Sequence, residues 1–160
     1  MTQDDDLTTI DKIIKATRFA TVTTRHSDGS LHSRPLAVLE RDFDGTVWFF
    51  TQDPSSKTDD IRADDNVNVT YVNGASTISL AGHASVDRDQ ARIDEFWNPW
   101  AEAWFENGRQ DPTVALLKVE GTSAEYWDVD KPAVVRTLEM VKSLATHSTP
   151  DVGESKVVEL

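Results

Sequence analysis

The sequence predicts a mostly β protein, an antiparallel barrel with peripheral helices, on the strength of three observations. Segments with the period-two apolar alternation of strands follow one another at residues 19–24, 31–39, 46–51, 66–72, 76–86, 114–120 and 122–129, with turn residues between most of them. Helical spacing is confined to short stretches at the ends and between strand groups, so no regular strand–helix alternation calls for a parallel doubly wound sheet. The chain has 160 residues, the size of one domain, and residues 1–160 are expected to form a single core.

Each element has a local cause. Leu7, Ile10, Ile13 and Ile14 recur at helical spacing behind the acidic residues Asp4, Asp5 and Asp6. Residues 1–17 therefore read as a leader and a short amphipathic helix capped by Asp6 or Thr8. Asp28-Gly29 joins the first two strands as a hairpin, and Asn73-Gly74 joins the strands at 66–72 and 76–86. Ser55, Ser56 and Lys57 open a helical turn or two that runs through Ile61 and Ala63. Asp87 is expected to cap a helix carrying Arg92, Ile93, Phe96 and Trp97. The tail holds a helix at 133–145 and a polar stretch from Thr146.

Composition excludes several functions. There are no cysteines, which removes disulfide frameworks, thiolate metal sites and cysteine nucleophiles and fits a cytoplasmic protein. No run approaches the roughly 20 apolar residues of a membrane span. A formal charge of −12 repels nucleic acid and anionic lipid, so neither is an expected partner. The glycines fit neither the dinucleotide fingerprint nor the P-loop, and there is no G-x-S-x-G elbow. The four histidines, at 26, 32, 83 and 147, share no metal-ligand spacing, so no metal is expected, although His26 and His32 flank one hairpin turn and can approach each other.

The suggestive chemistry lies at Ser55-Ser56-Lys57, where a strand gives way to a helix whose free N–H groups favour an anion. Ser56 with Asp59 resembles a capping box, which accounts for the serine but not for Lys57. A cation in the first turn opposes the helix dipole by about 0.3–1 kcal/mol unless an anion offsets it, and either a bound ligand or the neighbouring Asp59 and Asp60 can supply that anion. Arg34 stands in a strand just before Pro35, a residue that marks an edge, and its planar fork suits phosphate. Taken alone, Arg34 is better explained by pairing with a surface carboxylate. Trp97, Trp100 and Trp104 fall at i, i+3 and i+7 beside Phe96 and Phe105, the spacing of a core or subunit-contact stripe that also suits the wall of a flat aromatic ligand. Pro99 within the stripe implies a helix break.

Taken in order, the strings FATVTTRHSDGSLHSRPLAV, VWFFTQDPSSKTDDIRADDNVNVTYV, ISLAGHASV and FWNPWAEAWFENG resemble the pyridoxamine 5′-phosphate oxidase-like superfamily of FMN-binding split barrels, in particular its bacterial general stress protein branch. The resemblance spans residues 7–129. It implies a split barrel, bound FMN (with FAD, the deazaflavin F420 or haem as alternatives), a homodimer with flavin at the subunit boundary, and oxidoreductase activity on a small molecule. Its implied cofactor-binding residues are Arg34, Pro35, Leu36, Phe50, Thr51, Ser56, Lys57 and Thr77, with Trp104 reaching the partner's cofactor. It implies no catalytic side chain. The tail lacks the arginine and histidine pattern with which full oxidases engage pyridoxal phosphate, so that activity is not expected, and a non-catalytic flavin sensor or store is the alternative. The acidic chain also disfavours the polyglutamate tail of F420.

Overall fold

A computed structural model of the protein describes residues 2–128, 133–146 and 155–160. The strands are β1 (Phe19–Arg25), β2 (Leu31–Ala37), β3 (Thr46–Gln52), β4 (Asn66–Asn73), β5 (Ser76–Asp87), β6 (Val114–Trp127) and β7 (Ser155–Glu159). The helices are α1 (Gln3–Ala16), α2 (Ser56–Ala63), α3 (Gln90–Phe96), α4 (Pro99–Trp104) and α5 (Ala133–Thr146). All strand pairs are antiparallel, in the order β2-β1-β4-β5-β6-β3, with β7 added to β6. The sheet curls into the expected barrel. It stays split because its end strands, β2 and β3, approach each other without pairing.

Alternation builds the interior. Ala20, Val22, Val47, Phe49, Val67, Val69, Tyr71, Ile78, Leu80, Leu117 and Val119 point inward, and Ile10, Ile13 and Ile14 of α1 cover one end. A second, smaller cluster joins Ile93, Phe96, Ala101 and Phe105 of the α3–α4 segment to Val114 and Leu116, with Trp48, Phe50 and Trp97 against it.

Several local expectations change. The acidic leader is itself helical, because Thr2 and Asp5 form a capping box and three aspartates in the first turn favour the helix dipole. Asp6 is buried, accepting from Tyr126 Oη and Lys156 Nζ, each at 2.7 Å, so it ties α1 to β6 and β7. The two strands expected at 114–120 and 122–129 are one strand of 14 residues, and Gly121 marks a bulge rather than a turn. Its partner Gly82 approaches so closely that a Cβ there would lie 2.3 Å from the Glu120 carbonyl oxygen. α3 is capped by Asp89, while Asp87 accepts from the Asp89 N–H and pairs with Arg92. Pro99 starts α4 behind an Asn98 cap, so the tryptophan stripe is divided: Trp97 packs on Phe50 and Phe105, and Trp100 and Trp104 stand exposed. Part of the polar tail is β7, and residues 147–154 lie outside the described residues.

Gly82→Ala is expected to destabilise the protein by about 2–3 kcal/mol in urea unfolding, because the added carbon meets backbone that cannot turn aside.

Candidate functional site

The loop from β3 into α2 brings unlike charges together. Asp53, at its centre, is 2% exposed and receives both guanidinium nitrogens of Arg62 at 2.8 Å and Arg88 Nη1 at 3.1 Å. The hydrogen bonds from Arg62 hold its pKa at about 2 against the opposing effect of burial. Three residues later the chain enters α2. Ser55 is the N-cap, sharing a capping box with Thr58, so the box lies one residue earlier than the Ser56–Asp59 pairing expected from sequence. The reason is geometric: Thr58 stands at N3 of a helix that begins at Ser56, and its hydroxyl accepts from the Ser55 N–H at 2.9 Å. Ser56 is left exposed.

Asp60 forms a second charge centre. It is 3% exposed, and its Oδ2 accepts from Thr24 Oγ1 at 2.8 Å and lies 3.8 Å from Arg34 Nη2. Its Oδ1 accepts from His26 Nδ1 at 2.7 Å. Burial would raise the Asp60 pKa, but these hydrogen bonds and the Arg34 charge together leave it below the ordinary value. Arg34 Nη1 also donates to Thr24 Oγ1 at 2.6 Å and to the His32 carbonyl at 3.0 Å, so the guanidinium is held from three sides. This arrangement answers the ambiguity over Arg34: its ion pair is with a buried carboxylate inside the barrel end.

Lys57 has no such partner among the described residues. It is 8% exposed, and among the described residues no carboxylate oxygen lies within 4.0 Å of it and its ammonium donates only to Thr51 Oγ1. Burial, and then the positive charge of Arg34, push its pKa below the ordinary lysine value, while Asp53 acts the other way. A buried ammonium with one neutral hydroxyl partner lacks the compensation such groups normally have.

The ammonium lies at the polar end of a cavity of about 410 Å³. Thr51, Gln52, Ser55 and Lys57 line that end, and Pro35, Leu36, Phe50 and the aromatic side chains of Phe19, Trp100, Trp104 and Phe105 line the rest. Of the residues expected at a cofactor site, Pro35, Leu36, Phe50, Thr51, Lys57 and Trp104 are brought together here. Arg34 does not line the cavity but is near enough for its charge to act on Lys57. Ser55 lines the cavity, and Ser56, next to it, stands exposed outside the lining. Thr77 is elsewhere, on β5 opposite Val72 and Trp127. Sequence reasoning missed Phe19 and Gln52 at the cavity, whereas Trp100 belongs to the aromatic stripe it singled out, and the Asp53–Arg62–Arg88 network has no local signature because its members are 9 and 35 residues apart.

The sequence matches the family described as pyridoxamine 5′-phosphate oxidase like over residues 5–151. The chain belongs to this family. It is similar to protein bli-3 of Neurospora crassa, at 26% identity across 97% of this chain and 80% of that protein. Among solved structures it resembles a putative general stress protein 26 from Jannaschia sp. CCS1, with a TM-score of 0.76, 26% identity, and coverage of 98% of this chain and 99% of the other. It also resembles the general stress FMN/FAD binding protein of Xanthomonas citri, with a TM-score of 0.71, 27% identity, and coverage of 81% and 92%. These likenesses place the chain in the general stress protein branch, as its motifs imply.

Because the folded pKa of Asp53 is depressed, its contribution to stability is present above the unfolded value and is lost as pH falls through the folded one. Asp53→Asn is expected to lower stability by about 1–3 kcal/mol near neutral pH. The difference in Tm between the two proteins should shrink as pH falls from about 4 to about 2.

Proposed function

We propose that this protein binds a phosphorylated flavin, FMN in the first place, in the cavity that ends at Lys57. The observation that carries the reading is the buried, carboxylate-free ammonium of Lys57 at the polar end of a cavity whose remaining walls are largely apolar. That combination fits a ligand with an anionic end and a flat apolar body. Lys57, with the charge of Arg34 close by, would hold the phosphate, aided by Ser55 and the first turn of α2. Thr51 and Gln52 would bond the polar chain, and Phe50, Trp100 and Trp104 would pack against the ring. The similarity to the FMN/FAD binding protein of Xanthomonas citri supports the same reading. Haem is disfavoured because no histidine, methionine or tyrosine is among the described residues lining the cavity, leaving no axial ligand of those types.

The flavin, when bound, supplies the electron transfer, and the protein supplies position and electrostatics. The reaction we propose is oxidation or reduction of a small molecule at the aromatic mouth of the cavity. Lys57 is the sole titratable side chain among the described lining residues, so the wall offers no separate general acid or base. That same fact favours, as a second reading, a flavin-binding sensor or store in the stress response.

We propose further that the protein is a cytoplasmic homodimer with the flavin at the subunit boundary. Phe19, Val72, Trp100 and Trp104 expose apolar surface on and near the open mouth, and Val72 is paired directly with Thr77. A second copy covering this surface would account for Thr77 and Trp104 belonging to a shared site.

Lys57→Met is expected to weaken FMN binding at least about tenfold, the loss of one charge-assisted hydrogen bond. It should also erase the preference for FMN over riboflavin while leaving the cofactor-free protein as stable or more so, because an uncompensated buried charge has gone. Fluorescence titration and thermal melts measure these effects. Protein that is isolated colourless and ignores added FMN would refute flavin binding. Val72→Glu is expected to convert the dimer to a monomer in light-scattering chromatography and to weaken FMN retention.

A further inference from the structure

At the end of the barrel where the β1–β2 hairpin meets α2, two imidazoles converge on a buried carboxylate. Strand alternation puts Thr24 and His26 on one face, and the register that pairs Thr24 with His32 puts His32 on that face too. α2 presents Asp60 to the same face, where its Oδ1 accepts from His26 Nδ1 at 2.7 Å. The rings of His26 and His32 stack with centroids 5.1 Å apart and planes 10° from parallel. One ligating atom from each of His26, His32 and Asp60 lies within 4.8 Å of the other two.

We propose that His26, His32 and Asp60 form a binding site for a divalent transition-metal ion of the zinc type, separate from the flavin cavity. Zinc bonds to nitrogen and oxygen are about 2.0–2.2 Å long, so ligand atoms around one ion stand roughly 3.3 Å apart in a tetrahedron. The widest separation must therefore close by up to about 1.5 Å, while His26 Nδ1 and Asp60 Oδ1, now 2.7 Å apart, must part slightly, and the cluster has the means to do both. His32 is exposed and among the described residues its Nε2 meets only Ser30 Oγ, at 3.1 Å, while the His26 side chain is 40% exposed. Asp60 is the fixed member, gripped through Oδ2 by Thr24. Two adjustable imidazoles thus close on an anchored carboxylate.

The two carboxylate oxygens divide the work. Oδ2 faces Thr24 and Arg34, and Oδ1 faces His26, so an ion on the Oδ1 side would replace the proton that bridges His26 and Asp60. That proton moves to His26 Nε2 or to water. Thr24 would remain as the outer partner that orients the ligating carboxylate. Asp28, in the turn between the histidines, interacts electrostatically with both imidazoles and adds a second negative charge. Arg34 opposes a cation, but its guanidinium stays tied to Thr24 Oγ1 and the His32 carbonyl on the other side of the carboxylate. Two nitrogens and one oxygen suit zinc, nickel or copper, whereas magnesium and calcium require an oxygen shell. A fourth position is left for water.

The test is isothermal titration of the tag-free full chain with zinc chloride and, separately, magnesium chloride. Wild type, His26→Gln, His32→Gln and the control His83→Gln are compared, the last chosen because His83 pairs with Asp65 on β5 outside the cluster. Both cluster histidines are partly or fully exposed, so circular dichroism and Tm should show the variants folded. The expected result is one zinc ion per chain, affinity reduced at least about tenfold in His26→Gln and His32→Gln but unchanged in His83→Gln, and no response to magnesium. Absence of stoichiometric zinc uptake, wild-type affinity in His32→Gln, or an equal loss in His83→Gln would overturn the proposal.

Discussion

Two buried carboxylates set the electrostatics on which the site depends. Asp53 is taken up by Arg62 and Arg88, and Asp60 by Thr24, His26 and Arg34. Both buried anions near the start of α2 are therefore committed, and Lys57 is left with a hydroxyl. Were either aspartate free to turn toward Lys57, the ammonium would be half of an ordinary buried ion pair and that end of the cavity would carry no uncompensated charge. The positive end of the cavity is thus produced by what the neighbouring carboxylates already hold.

The barrel supplies the rigidity that keeps this partition in place. β2 and β3 are the two end strands of the sheet, and the cavity draws Leu36 from one and Phe50 and Thr51 from the other. A fully closed barrel would pair these strands and remove the gap. The split is therefore where a ligand can enter between backbone edges, while the long strands β5 and β6, bent at the Gly82–Gly121 bulge, hold the two halves of the sheet in register.

Most strand positions were legible because the half-buried alternation of residues such as Val67, Val69 and Tyr71 is a local property of the chain. Lys57 was legible for a similar reason: a cation in the first turn of a helix contradicts a local electrostatic rule and so asks for an anion. The assignments that shifted depended on distant contacts. Gly121 reads as a turn until Gly82 is set against it, and Asp87 reads as a cap until Arg92 claims its carboxylate. The hairpin spacing already lets His26 and His32 approach, but the Asp53 network and the arrival of Asp60 beside the two histidines depend on how α2 seats against the sheet, which no spacing along the chain records.

The division of the interior into two clusters carries a consequence for how the mouth can vary. The aromatic side of the cavity rests on the small cluster of Ile93, Phe96, Ala101 and Phe105, whereas the barrel rests on a separate and larger one. Substitutions that reshape the mouth are paid for locally, within a short segment between β5 and β6, and do not draw on the cooperative packing of the sheet. A different α3–α4 segment could therefore change what lines the mouth, while the end of the cavity around Lys57, built into the barrel strands and α2, rests on separate packing.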